Sequence, residues 1–180
     1  MVRLESDRLI VRHYFESDLH DLHNLISDKV NMYFVDDIFS NSIEETAQNL
    51  THVMKNKDGQ YFAICNKHSD EFIGSVGYTY TNIDQINGIK VAHLGYFILP
   101  KHHSKGYVTE AVKKVLAFAF ESDSCTRITT GCYSQHIASE RVMIKAGFCK
   151  VSECADVKLH DGVFKNKLKY AIDAKDYQNR

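Results

Sequence analysis

From Pro100 the chain reads PKHHSKGYVTEA and passes directly into a segment of helical periodicity. A helix N-terminus presents unpaired backbone N–H groups and the positive end of the helix dipole, so a tight turn of small residues in front of one can hold a phosphate or diphosphate. Gly106 lets the backbone approach such a group closely. Lys101, His102, His103 and Lys105 add cationic character to the same turn. An ordinary capped turn uses the same residue types. The segment is not a P-loop, and it carries one Gly where a dinucleotide fingerprint needs three, which disfavours ATP and NAD.

A second group of residues is suited to moving protons. His93 has an imidazole whose ordinary pKa of about 6.5 is matched to accepting a proton near neutrality. Strand alternation sets it with Gly95, Phe97 and Leu99, opposite Ala92, Leu94, Tyr96 and Ile98. A hydrogen-bonded structural histidine is the other reading. Glu110 lies off the buried stripe of its helix, which suits it to capping or dipole pairing. Tyr133 precedes a helix and is a reserve acid or an interior or surface aromatic. Tyr78 and Tyr80 read as sheet packing. His13, His20, His23, His52, His68 and His160 form no convergent pattern. His20 and His23 share a helix face without a third ligand, so no metal is expected. Asp36 and Asp37, in the segment NMYFVDDIFSNS, could attract an ammonium group or form a solvated acidic loop.

These residues need elements to position them. Arg8–Tyr14 alternates as a strand, and Ser17 is placed to cap a helix with apolar Leu19, Leu22, Leu25 and Ile26. Ser42 and Glu45 form a capping box ahead of a helix whose face carries Ile43, Ala47, Leu50 and Met54. Gln60–Asn66, Phe72–Thr81 and Ile89–Leu99 are rich in β-branched and aromatic residues and predict three consecutive antiparallel strands. Val108, Ala111, Val112, Val115, Leu116 and Ala119 follow the spacing of an amphipathic helix. Thr126–Cys132 is a strand, Ile137–Ala146 a helix closed by Gly147, and Phe148–Glu153 and Phe164–Asp173 two final strands. The sum is an α/β (α+β) chain: a central mixed, mostly antiparallel twisted sheet of about seven strands flanked by about four helices.

Composition sets the frame. The 180 residues include 9 Gly and a single Pro, with 44% apolar and 25% charged residues and a formal charge of −1. Such a chain is neither disordered nor collagen-like, and it has no apolar run near the ~18 residues of a membrane span. With about 150 residues per domain as a guide and no linker or repeat, residues 1–180 read as one domain. Basic and acidic residues are interleaved, which disfavours nucleic acid as a partner. Five cysteines, odd in number and without C-x-x-C spacing, and an opening without a secretory pattern point to a reducing, cytoplasmic compartment.

LGYFILPKHHSKGYVTEAV resembles the acetyl-CoA-binding segment of the GNAT acyltransferase superfamily: a Gly-Tyr strand, then Gln/Arg-x-x-Gly-x-Gly/Ala, then Tyr-Ala/Val-Thr-Glu-Ala on a helix. HIASERVMIKAGF is similar to the family's Asn-x-x-Ser…Lys-x-Gly-Phe segment. LESDRLIVRHY resembles the opening strand of its ribosomal-protein N-terminal acetyltransferase subgroup. The likeness runs from about Leu4 to Phe164 with the segments in order. Ser104 stands where Gly is usual, Lys101 where Gln or Arg is usual, and His136 where Asn is typical. A positive φ at Ser104 would carry strain, because serine has a Cβ.

The resemblance implies transfer of an acetyl group from acetyl-CoA to an amine. Its coenzyme-binding residues would be Phe97, Ile98, Leu99, Lys101, His103, Ser104, Lys105, Gly106, Tyr107, Val108, Thr109, His136 and Ser139. In that scheme amides around Phe97–Leu99 hold the pantetheine arm and polarise the thioester carbonyl. The catalytic candidates are His93, where the family often carries Glu, Ser139 as donor to the leaving thiolate, and Tyr133. An α-amine of pKa about 8 is about a tenth neutral at pH 7, whereas a lysine amine is almost wholly protonated, so a base matters most for lysine. The partners implied are acetyl-CoA and an amine acceptor, either a protein N-terminus or a small molecule, with the protein a monomer or homodimer. The alternative is a CoA-binding or protein-interaction module of the same fold without turnover.

Overall fold

The computed structural model describes residues 1–35, 39–55, 57–159 and 161–179. Asp36, Asp37 and His160 lie outside them. Among the described residues there are eight strands and five α-helices. In chain order they are β1 (Arg3–Glu5), β2 (Leu9–His13), α1 (Leu19–Ile26), α2 (Ile43–Lys55), β3 (Gly59–Asn66), β4 (Phe72–Asp84), β5 (Ile89–Ile98), α3 (Tyr107–Glu121), β6 (Arg127–Tyr133), α4 (Ile137–Ala146), β7 (Cys149–Lys158), β8 (Phe164–Asp173) and α5 (Ala174–Gln178). The mixed, mostly antiparallel α+β architecture is the one the sequence predicts. The elements beyond the expected seven strands and four helices are β1 and α5, of 3 and 5 residues, too short for periodicity to register.

The chain forms two compact units, Met1–Thr79 with Gly95–Val115, and Tyr80–Leu94 with Leu116–Arg180. In the first, the strands follow the order β1-β2-β3-β4-β5, and the pairings β1–β2, β2–β3 and β3–β4 are antiparallel. Its core gathers Leu22, Leu25 and Ile26 of α1, Leu50 of α2, Ala63 and Cys65 of β3, Phe72 of β4 and Leu99, with Phe97 packed against them. These are the apolar positions that strand and helix periodicity turn inward.

Three local expectations are corrected. Ser17 does not cap α1. It sits inside a 3-10 turn, Glu16–Asp18, and the residue ahead of the helix is Asp18. The Asp18 carboxylate is instead drawn to the Arg12 guanidinium, at 2.7 and 2.9 Å, and accepts the Phe15 N–H at 2.8 Å. At α2, Ser42 Oγ accepts the Glu45 N–H at 3.2 Å as a capping box requires, but the Glu45 carboxylate reaches the Asn41 N–H, one residue before the box partner. Met54 is 43% exposed; Thr46 and Leu50 are the buried residues of that helix.

In the second unit the strands follow β4-β5-β6-β8-β7. β5 and β6 run parallel, pairing Val91 with Arg127, Ala92 with Ile128 and His93 with Thr129, while β8 lies antiparallel to β6 and to β7. Asp123 ties the start of this unit together by accepting the Tyr80 hydroxyl at 2.7 Å and the Lys90 ammonium at 2.6 Å. Tyr80 is therefore a packing residue, as expected. Gly147 closes α4 at φ 99°, a conformation glycine adopts without strain. The five cysteines are free thiols.

Candidate active site

β5 ends at Ile98, and Leu99 is extended, with φ −60° and ψ 139°. Pro100, its φ fixed by its ring, starts a 3-10 turn through His102. The backbone then takes two left-handed steps, Ser104 at φ 60° and Gly106 at φ 79°, before α3 begins at Tyr107. Ser104 thus adopts the conformation a glycine would favour, at a cost of about 1 kcal/mol. The Glu110 N–H returns to the Gly106 carbonyl at 3.2 Å. The amides of the first helical residues, Tyr107, Val108 and Thr109, precede the first intrahelical acceptor and point out of the helix N-terminus. Lys101 and His103–Gly106 are exposed, so the mouth of the turn is open.

Side chains divide this turn between charge and support. Lys101 is paired with Glu71 at 2.7 Å. His102, counted among the cations by sequence, is 6% exposed. Burial lowers its pKa, which outweighs the Glu71 carboxylate 3.5 Å away, so it sits in the turn as a largely neutral ring edge-on to Tyr107. The Ile98 carbonyl takes Asn31 Nδ2 at 3.1 Å and His103 Nε2 at 3.3 Å. The Leu99 N–H is committed to the Ile73 carbonyl at 3.0 Å, so it is not available to a ligand.

Glu110 is the support that sequence reasoning underrated. Its carboxylate accepts the Ser6 hydroxyl at 2.6 Å and Nε and Nη2 of Arg8 at 2.8 and 2.5 Å. Burial would raise its pKa, but those hydrogen bonds outweigh it and hold the carboxyl below its usual value. Arg8 also donates Nη1 to the Lys105 carbonyl at 3.1 Å and lies 4.7 Å over the Tyr107 ring. The signal available in sequence was an acid in a first helical turn that leaves the buried stripe; its partner, about a hundred residues away, had none.

The proton-handling candidates lie in the second unit. Ala92 and Leu94 are buried while His93 between them is exposed, as alternation predicts. From Gly95 to Ile98 the alternation gives way to a run of half-buried residues. His93 Nδ1 lies 3.1 Å from Thr129 Oγ1, and that hydroxyl donates to the Ala92 carbonyl at 3.1 Å. A carbonyl can only accept, so the hydroxyl hydrogen belongs to Ala92 and Thr129 must accept from the imidazole. The protonated nitrogen of His93 is therefore Nδ1, and Nε2 carries the lone pair. Partial loss of hydration between the strands, and secondarily the Lys167 ammonium, lower the His93 pKa from its ordinary value.

Tyr133, His136 and Ser139 come together on the β6–α4 connection. The His136 N–H donates to the Tyr133 carbonyl at 2.8 Å and the Ser139 N–H to the His136 carbonyl at 3.0 Å. Tyr133 is 1% exposed, with Lys167 Nζ 5.2 Å from its ring centroid, and Ser139 is 8% exposed. Burial first and Glu140 second push the neighbouring Cys132 thiol up to about 11 against a hydrogen bond with Ser139, which keeps that thiol protonated and inert. Among the described residues no group of three or more His, Cys, Asp or Glu could hold a metal ion. No described helix is long and apolar enough to cross a membrane.

The sequence pattern of the family described as acetyltransferase (GNAT) domain matches residues 8–149. The uncharacterized N-acetyltransferase YoaA of Bacillus subtilis (strain 168) is 29% identical over 151 residues, covering 82% of this chain and 82% of the relative. Spermidine N-acetyltransferase from Vibrio cholerae, solved in complex with CoA and spermine, shares the fold with a TM-score of 0.85 at 18% identity, over 97% of this chain and 100% of that one. Ribosomal-protein-S5-alanine acetyltransferase from Vibrio fischeri does so with a TM-score of 0.82 at 20% identity, over 98% and 99%.

Proposed function

The chain belongs to the GNAT acetyltransferase family, and from that premise we propose that residues 1–180 act as one domain that moves an acetyl group from acetyl-CoA to a primary amine, a protein N-terminus or a small-molecule amine, by direct attack on the thioester. The observation that carries the reading is the turn with left-handed Ser104 and Gly106 that opens the N-terminus of α3. Oriented amides and the helix dipole suit it to a diphosphate. The fold is shared with proteins named for spermidine and for a ribosomal protein, which supports an amine acceptor.

In this mechanism the amides of Gly106–Thr109 hold the diphosphate, with Lys105 as a nearby cation. The Phe97 and Ile98 amides hold the pantetheine arm and face the thioester carbonyl oxygen, where each aligned donor contributes a factor of about 10² to 10³ as negative charge develops. His93 Nε2 receives the proton that the amine nitrogen loses as its bond to the acetyl carbon forms. The carbon–sulfur bond breaks, and the Ser139 hydroxyl, with Tyr133 in reserve, donates a hydrogen bond to the leaving thiolate, which leaves as thiolate or takes its proton from water. Holding both reactants in line supplies roughly 7–11 kcal/mol of the barrier reduction.

The test is release of CoA thiol on mixing the protein with acetyl-CoA and a panel of N-terminal peptides, polyamines, amino acids and aminoglycosides. Amine-dependent release is expected. Thermal stabilisation by acetyl-CoA with no release across the panel would replace this reading with a coenzyme-binding module that lacks turnover.

A further inference from the structure

Arg8 stands at the start of β2 and reaches across to the Pro100–Tyr107 turn. All three of its donor-bearing nitrogens are occupied: Nε and Nη2 by Glu110 Oε2, Nη1 by the Lys105 carbonyl. Its side chain is 48% exposed and that of Glu110 20% exposed. A side chain added at Gly106 would meet Arg8 Nη2 at 3.6 Å. The guanidinium therefore lies beside the left-handed glycine, over the Tyr107 ring, and joined to the backbone one residue before Gly106. Ser6 completes the arrangement from the same side through its hydroxyl on Glu110.

We infer that Arg8 is a positioning residue for the diphosphate turn: with Glu110 as its anchor it fixes the Lys105 carbonyl, and so the direction of the Gly106 and Tyr107 amides, before any ligand arrives. The inference rests on the proposed coenzyme site. The planar fork of donors, two of them converging on Glu110 Oε2, explains why an arginine serves here. Two arms lock onto the carboxylate of α3 while the third remains for a backbone carbonyl, a division that an ammonium on a flexible stem does not reproduce. It also explains why Glu110, a negative charge in the first turn, is compatible with a polyanion nearby: its charge is matched within the same contact. With three of its five N–H donors committed to Glu110 and the Lys105 carbonyl, it acts on the coenzyme through the turn it holds. A preformed turn requires no ordering on binding, and that saving falls on affinity and not on the chemical step.

The experiment measures CoA affinity by calorimetry, and turnover with the best amine from the panel, for wild type, Arg8→Lys, Arg8→Ala and the double variant Arg8→Ala/Glu110→Gln. Thermal melting checks that each is folded, and Arg8→Lys, which keeps the charge, stands in should Arg8→Ala not fold. Arg8→Lys and Arg8→Ala are expected to weaken CoA binding and raise the acetyl-CoA KM by about tenfold, the effect of losing one charge-assisted hydrogen bond, with kcat at saturation within about twofold of wild type. The double variant, free of the unpaired carboxylate, is expected to remain weak. Wild-type affinity in Arg8→Lys or in the double variant would mean that charge alone matters and would overturn the positioning role, as would a fall in kcat with KM unchanged. Failure of wild type itself to bind CoA would overturn the site and not this inference alone.

Discussion

His93 Nδ1 and Thr129 Oγ1 stand 3.1 Å apart on paired positions of two parallel strands, and the threonine hydroxyl is already donating to the Ala92 carbonyl. That arrangement dictates a tautomer: hydrogen on Nδ1, lone pair on Nε2. Nitrogen-15 NMR of the imidazole above its pKa is expected to report Nε2 as the bare nitrogen. In Thr129→Val the preference should disappear and the two tautomers mix, while Thr129→Ser retains it. A bare Nδ1 in wild type would refute the assignment.

The lowered His93 pKa sets a direction for the pH profile. Protonated imidazole cannot accept a proton, so kcat/KM, expressed per neutral amine, should be level at pH 7 and fall on the acid side with a midpoint below about 6.5. Lys167 repels the second charge, so Lys167→Met should move that midpoint upward. His93→Ala should lower kcat by about a hundredfold while leaving acetyl-CoA affinity unchanged. A rate equal to wild type would remove His93 from the reaction.

Ser104 holds a left-handed backbone with a Cβ in place. Ser104→Gly should relieve strain worth about 1 kcal/mol, partly offset by the greater freedom of glycine in the unfolded chain, for a net gain of roughly 0.5 kcal/mol. Ser104→Val, β-branched, should instead destabilise by about 1–2 kcal/mol. Urea denaturation measures both, and equal stability of the three proteins would contradict the conformation.

Arg12 and Asp18 form a bidentate pair at 7% and 5% exposure, with the Phe15 amide as a further donor. Asp18→Asn leaves a buried guanidinium without a counter-charge and should cost about 3 kcal/mol of stability. The equilibrium unfolding midpoint reads this directly, and a loss under about 1 kcal/mol would indicate that water reaches the pair.

Much of the scaffold could be read from residue order alone, because the relevant forces act within one turn or one pleat. The stripe from Val108 to Ala119 gave α3, Gly147 gave the end of α4, and Ser42 with Glu45 gave the start of α2. Where the reading failed, the detailed packing of the fold outweighed the local signal. Ser17 lost the capping position because Asp18 is held in place by Arg12 and the Phe15 amide, and Met54 left the buried face because the stripe of α2 follows Thr46 and Leu50.

The sequence by itself determined that a tight, glycine-bearing turn joins a strand to an amphipathic helix at Pro100–Tyr107, and that His93 stands on an alternating strand just before it. Both follow from periodicity and from the few residues able to adopt a positive φ. Only the tertiary structure decided what holds them: Arg8 meets the Lys105 carbonyl across 97 residues of chain, and Thr129 meets His93 across 36. Such contacts depend on strand register and on how β2 approaches the start of α3, and no local spacing encodes either, because each is fixed by burying many apolar side chains at once.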